Sequence, residues 1–475
     1  MSLAHILLWV FLSLSVRWLF PGKTRPWVIL AISVVAVYWL QPNLPIRQLD
    51  FWLPTATIAL VFLSWGLTTK PEAFKDKNNR LTAGLVIFLV LLISLTRFIS
   101  LEGVLTASRP PQFHLVAVTL AIISGLMYVL VRYIKASKLV LILGVIVFLG
   151  ILITLKTPAL LIRVSMTLRS LAQQSTILAR ESDLEWLGFS YLAFRIIHVL
   201  LDRLNGRLPD LKLQDYFIYT IFYPTFLAGP IDRFQRFQTD LESFSPMKSE
   251  ELIRYAKRFF SGLFKKFIIA DTLAFFSLTP ITANQANHSG WLWVMTFAFS
   301  LQIYFDFSGY TDIAIAAGGF LGFRLPENFN KPYLQPNITK FWNAWHITLT
   351  QWVRAYLFNP LARYFRRNSK LPTTVIIFIA QMSTMLAIGL WHGVTMNFLI
   401  WGAWHGLGLF IHNRWSNRFG RQIKSTLIDH PGLSTINNAF GVFSTFVFVS
   451  IGWLWFTIPD VEMAWTTLLQ MFLIR

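Results

Sequence analysis

Apolar runs long enough to cross a bilayer recur along this chain, and nothing else in it limits the fold so severely. A hydrocarbon core of about 30 Å takes about 20 helical residues, fewer where flanking side chains snorkel. Such runs cover Leu3 to Phe20, Trp27 to Leu40, Phe51 to Thr68, Leu81 to Ser100, Phe113 to Val131 and Leu139 to Leu155. They resume at Leu184 to Leu201, Trp291 to Phe305, Thr373 to Leu390, Phe398 to Ile411 and Phe440 to Phe456. The chain therefore reads as an all-α, polytopic integral membrane protein of about 11–13 transmembrane helices. The first run counts as a helix, because no basic region precedes it and no small-residue cleavage site follows.

Composition agrees. Charged residues make up 13% of the chain, against roughly 25% in soluble domains, so neither a soluble fold nor disorder is available to it. The 25 Gly and 21 Pro show no period that would suggest a fibre. A net charge of +20 does not point to nucleic acid, since the basic residues sit in short loops and no stretch is long enough to build a basic face. Arg17, Lys23 and Arg25 share one loop, Lys70, Lys75, Lys77 and Arg80 a second, and Arg132, Lys135 and Lys138 a third. The loops between them, from Gln41 to Asp50 and Leu101 to Gln112, are nearly neutral. That alternation places the basic loops in the cytoplasm and the N-terminus outside. The chain has no cysteine, which removes disulfides, thiolate metal sites and any cysteine acyl-enzyme.

Beyond Lys156 the pattern changes. Lys156 to Asp183 and Arg254 to Ile269 mix basic and apolar residues as helices lying on anionic lipid do. No inverted repeat announces a transporter.

Polar residues inside apolar surroundings are costly, so their clusters carry the information. Tyr304 to Asp312 holds two carboxylates six residues apart, on different helical faces. They favour a helix break and a cap at Asp312 before Ile313 over an acid/base pair, although Asp306 stays among the substrate-binding candidates. Phe341 to Arg354, bounded by Pro336 and Pro360, reads as one short interfacial helix. Phe341, Trp345, Trp352 and Tyr356 share a face, and His346, Thr350 and Arg354 an adjacent stripe. The third cluster repeats a triplet, Trp391-His392-Gly393 and Trp404-His405-Gly406. On one continuous helix, thirteen residues would separate the two histidines by about 20 Å, too far to share a metal, so no metal site is expected. Gly393 ends the preceding span and leaves His392 at a helix C-terminus, where a neutral imidazole can accept a proton. His405 reads as a residue that packs and hydrogen-bonds within its helix.

At these residues the sequence resembles the membrane-bound O-acyltransferase family, in its bacterial branch of D-alanyl transfer and alginate O-acetylation proteins. The matching stretches are Gly188 to Arg195, Pro224 to Phe234, Phe305 to Tyr310, Pro326 to Pro332, Phe341 to His346 and Trp391 to Gly393. The resemblance implies a ring of helices around a central tunnel, with re-entrant and interfacial helices, a cytoplasmic entrance for an acyl thioester and an opposite one for the acceptor. It divides the chain into N-terminal helices of unassigned role (1–183), the core motifs (184–415) and a C-terminal membrane segment (416–475). It makes His392 the family's invariant histidine and His346 its second motif residue. Leu227-Ala228 stands where the D-alanyl branch has two serines, which leaves the acyl group open.

The resemblance also implies a donor that is a substrate, acyl-CoA or the phosphopantetheine of an acyl carrier protein, with no tightly bound cofactor. The bilayer and an extracytoplasmic acyltransferase are the remaining expected partners. No GxSxG elbow is present, so direct transfer between two bound substrates is the simpler chemistry. Asn343 and the indoles of Trp342 or Trp345 are oxyanion-donor candidates, and Arg354 a substrate-binding one. A transporter of a lipid-linked glycan, with the histidines as a relay, is the competing reading.

Overall fold

The computed structural model describes residues 3–20, 22–99, 105–133, 137–243, 246–286 and 288–473. Lys135 of the third basic loop, Ser100 at the end of the fourth apolar run, and the loop from Leu101 to Val104 lie outside them. The apolar runs named above fall mostly on helix in their described parts, although Leu184 to Gly188 precede α8 without being helical, and no β-strand occurs among the described residues.

The helices are, in order, α1 (Leu3–Leu19), α2 (Arg25–Trp39), α3 (Leu49–Thr68), α4 (Lys77–Leu95), α5 (Phe113–Tyr133), α6 (Lys138–Lys156), α7 (Pro158–Leu171), α8 (Phe189–Leu204), α9 (Leu213–Thr220), α10 (Phe234–Glu242) and α11 (Ser249–Leu263). After a π-helical turn at Phe264–Ala270 come α12 (Asp271–Ala274), α13 (Pro280–Gln285), α14 (Ser289–Phe320), α15 (Ile338–Ala344), α16 (Ile347–Val353), α17 (Asn359–Asn368), α18 (Thr373–His392) and α19 (Met396–Asp429). The last three are α20 (Pro431–Gly452), α21 (Leu454–Thr457) and α22 (Val461–Met471). Among the described residues, six helical stretches are long and apolar enough to cross a membrane: α3, α4 with the turn after it, most of α5, α6, α18, and α20 continued through α21. The windows of α5 and α6 are only 11% and 22% buried. Apolar on every side and little covered by protein, these two helices have the surface of lipid-facing elements.

The chain forms two compact units. The first comprises residues 1–259 and 313–326. Its interior is rich in tyrosine, and each phenol finds a partner, as buried hydroxyls in a membrane protein must. Tyr216 pairs with Ser64 at 2.8 Å, Tyr223 with Ser13 at 2.7 Å, and Tyr219 donates to the Asp232 carbonyl at 2.8 Å. Two motif stretches meet here. Arg195, 1% exposed, donates to the carbonyls of Thr220 and Thr225 and to the Thr225 hydroxyl. Gly188 opens α8 at φ +74°, and a Cβ there would lie 2.6 Å from the Phe226 ring. Only glycine fits such a turn without strain.

In the same unit burial pushes the Asp215 carboxyl up to about 6, with Lys212 holding it down in part. An acid whose folded value is raised binds its proton more tightly folded than unfolded, so stability falls as pH rises from about 4 to about 6 and stays low above that. Asp215→Asn is therefore expected to raise the thermal midpoint in detergent by a few degrees at pH 7.5 and to leave it unchanged at pH 4; an equal shift at both values would refute the assignment.

The second unit comprises residues 260–312 and 327–475. Its centre is the antiparallel pair α18 and α19, which touch backbone to backbone. A Cβ on Gly389 would lie 2.2 Å from the Phe398 carbonyl oxygen, and one on Gly402 2.7 Å from the Met385 carbonyl oxygen. Small residues drive such close crossings where lipid gives no hydrophobic push between helices. Gly402→Val is expected to separate the pair and to abolish a monodisperse, cooperatively melting species in detergent. A normal melt would show that the contact is dispensable.

The expected break at Asp306 to Asp312 does not occur: α14 runs unbroken from Ser289 to Phe320. The carboxylates are satisfied from outside the helix instead. Lys265 pairs with Asp312 at 2.6 Å, and Lys266 with Asp306. Gly309, midway between them, lets the π-helical turn approach, with the Lys266 nitrogen 2.8 Å from where a Cβ would stand. Two of the lysines expected to lie on lipid therefore neutralise acids of α14, the buried Asp312 and the half-exposed Asp306.

Candidate active site

The stretch expected as one helix from Phe341 to Arg354 is two. α15 ends at Ala344, α16 begins at Ile347, and His346 between them has φ 42°, in the left-handed region. The sequence gives no glycine or proline at this point; the cause is the loop of Pro326 to Pro332. The carbonyl of Asn328 accepts from Ile347 N at 2.9 Å, and Asn330 N donates to the Ala344 carbonyl at 2.9 Å. The loop thus takes over backbone groups that a continuous helix would have paired. The Asn328 side chain, fully buried, completes the lock. Its Oδ1 accepts from Thr348 N at 3.2 Å, from the Thr348 hydroxyl at 2.9 Å, and from His346 Nδ1 at 3.1 Å.

That last bond fixes a tautomer. A backbone N–H can only donate, so the Asn328 atom facing Thr348 N is the oxygen, and His346 Nδ1 must carry the hydrogen that it shares with the same oxygen. In the neutral ring Nε2 is then bare, the atom able to take a proton.

His392 is the last residue of α18. The chain leaves it through Gly393 in extended conformation, where a Cβ would lie 2.7 Å from the Phe398 ring. His392 sits among Trp391 (4.5 Å between ring centres), Phe456 (4.8 Å), Trp401 (5.5 Å) and Phe398 (5.8 Å). Trp391 is also 6.3 Å from His346, whose other face meets Phe307 at 4.9 Å. The two histidines singled out from the sequence therefore meet at one indole.

The remaining candidates separate. Trp342 and Arg354 line a cavity of about 270 Å³ together with Thr350, Gln381, Thr384 and Met385. The threonine hydroxyls there donate to the backbone carbonyls of Trp345 and Ala380, which leaves their methyl groups for the cavity. Asn343 is exposed, and its carbonyl oxygen accepts from Arg354 at 2.7 Å, so its amide N–H₂ is what it can offer an oxyanion. Trp345 belongs to packing, 5% exposed among Phe329, Phe341, Tyr333 and Trp453. Asp306 is held by Lys266. Among the described residues no three side chains of metal-ligating type come together. Asn328 and Gln381 had no assigned role in the sequence; an amide within an apolar run was the available signal for Gln381.

The architecture is that of a multi-pass helical membrane protein with a histidine-bearing, aromatic-lined interior. Residues 111–455 match the membrane-bound O-acyltransferase family (MBOAT), to which the chain belongs. It is 35% identical over 295 residues to the "Probable alginate O-acetylase AlgI" of Azotobacter vinelandii, covering 60% of this chain and 53% of that protein. It is 30% identical over 295 residues to the teichoic acid D-alanyltransferase of Streptococcus thermophilus, covering 60% and 71%. With the peptidoglycan O-acetyltransferase of Helicobacter pylori it shares 32% over 262 residues, 53% and 45%. The chain spans about half the length of the alginate O-acetylases that it matches.

Proposed function

We propose that the chain is a membrane-embedded O-acyltransferase that moves an acyl group, acetyl or D-alanyl, from a cytoplasmic thioester to a hydroxyl of a cell-surface polysaccharide, teichoic acid or lipid-linked glycan. The observation that carries this reading is the meeting of His346 and His392 at Trp391, with the tautomer of His346 set by Asn328. An alcohol is a weak nucleophile at neutral pH, and an imidazole that removes its proton as the C–O bond forms contributes about 10²- to 10⁴-fold. His392 takes that role, with His346 as the second imidazole beside it. The proton returns to the departing thiolate, so the transfer consumes none. The chain has no cysteine, and the acyl group passes directly between the bound substrates. The Asn343 amide N–H₂, exposed beside Arg354, is the donor for the developing oxyanion.

Basic cytoplasmic loops suit an anionic donor, coenzyme A or a carrier protein's phosphopantetheine. This reading places the protein in the cytoplasmic (inner) membrane with the N-terminus outside, beside an extracytoplasmic acyltransferase partner. A reporter fused at Lys75 is expected to behave as cytoplasmic, and an extracytoplasmic signal would overturn that orientation. The decisive experiment follows the label. Vesicles containing the protein receive an isotope-labelled acyl thioester and a hydroxylated acceptor. Label in an acceptor ester supports the enzyme, whereas unmodified acceptor delivered across the membrane without ester formation supports a transporter.

A further inference from the structure

The second unit encloses a third imidazole that the proposed chemistry does not use. His405 on α19 is fully buried, and against the expectation of a hydrogen bond within its helix neither ring nitrogen has a hydrogen-bond partner among the described residues, because aromatic rings surround it. Its neighbours are rings: Trp401 at 4.9 Å, Trp342 edge-on at 5.3 Å, Phe448 at 5.9 Å and Trp453 at 6.4 Å. Trp342 and Trp401 also touch each other, at 5.9 Å. Three nitrogen-bearing rings therefore form a closed triangle, and both indole N–H groups likewise lack a partner among the described residues. Gly452 makes room for it, since a Cβ there would lie 2.8 Å from His405 Nε2.

A neutral imidazole carries one N–H and one bare nitrogen. The triangle thus holds three donors and one acceptor in an interior of the kind where roughly nine in ten buried polar groups are satisfied. The surrounding π faces can receive an N–H, but they offer nothing to the bare nitrogen. A single water does. Its oxygen accepts from the two indoles, and one of its hydrogens goes to the imidazole, the two to four partners that a buried water needs. Of the three rings, Trp342 also borders the cavity of about 270 Å³.

We propose that His405 is a positioning residue, which holds one ordered water against Trp342 and Trp401 and through it fixes both indoles. Trp342 lies with Asn343 in the last turn of α15, just before the turn at His346, and Trp401 packs on His392, so one hydrated imidazole steadies both walls of the site. The kinetic consequence rests on the acyltransferase reading; the water itself does not.

The test uses the full-length protein in vesicles with a labelled acyl thioester. His405→Phe preserves the aromatic packing and removes the polar atoms. It is expected to melt as the wild type does and to keep KM, while kcat falls by roughly tenfold or more. His405→Gln, whose amide can still hold the water, is expected to recover most of that loss. Full turnover in His405→Phe, or equal loss in both variants with folding intact, overturns the proposal. An experimental density map that resolves waters decides the matter without catalysis, and also if His405→Phe fails to fold. A water within about 3 Å of His405 and the two indole nitrogens is expected, and an empty triangle overturns the assignment. A wild type that transfers no acyl group, with that water present, would sink the functional reading and leave this one standing.

Discussion

Replacing His392 by alanine is expected to lower acyl transfer from thioester to hydroxyl by about 10²- to 10⁴-fold, the range a positioned general base supplies. The fold is expected to survive, because His392 is only partly buried and closes its helix rather than packing within it. Alanine nevertheless removes ring contacts with Trp391, Phe398, Trp401 and Phe456, so a second substitution is needed to separate packing from chemistry. His392→Phe keeps an aromatic ring in the same enclosure but has no nitrogen to take a proton. Both variants are expected to be equally inactive, with melting midpoints close to that of the wild type. Near-normal turnover in either one would remove His392 from the mechanism and leave His346 as the base.

Asn328→Ala is the second large effect. The amide oxygen receives three donors in a fully buried position. Its loss removes the acceptor that the Thr348 N–H, the Thr348 hydroxyl and the His346 Nδ1–H share, at about 1–3 kcal/mol for a buried donor so deprived. His346 occupies a conformation that side chains rarely adopt, and strain of that kind persists only where surrounding contacts enforce it. Without Asn328 the turn relaxes, and the tautomer is no longer set. Transfer is expected to fall by roughly 10²-fold through misplacement of the imidazole alone, together with a lowered melting midpoint. Thr348→Val removes one donor and its partner's bond but spares the other two, so it is expected to cost much less. Equal kinetics for the two variants would show that the lock on His346 is not what matters.

Much of the fold could be read from the chain because the relevant physics is local. Apolar length gave the helices, and Gly393 gave the end of α18 beside His392, since a span must stop where its backbone turns away. Two errors share the opposite cause. The break placed at Asp306 to Asp312 followed from charge that a helix in lipid cannot leave bare, and lysines 40 and 47 residues away in sequence supply the compensation. The helix drawn from Phe341 to Arg354 obeyed its own periodicity, and the loop around Asn328 overrode it from outside. Within the site the histidines were legible as polar residues in apolar company. Asn328 was not, because an asparagine in a polar loop between prolines announces nothing until the backbone it serves is known.

The glycine contact between α18 and α19 bears on how such a site could open. Where two main chains touch, no rotamer can yield between them, so sliding or tilting one helix against the other is closed off as a route for admitting substrate. The turn at His346 is held differently, by hydrogen bonds from one loop: the Asn328 carboxamide and two backbone pairs.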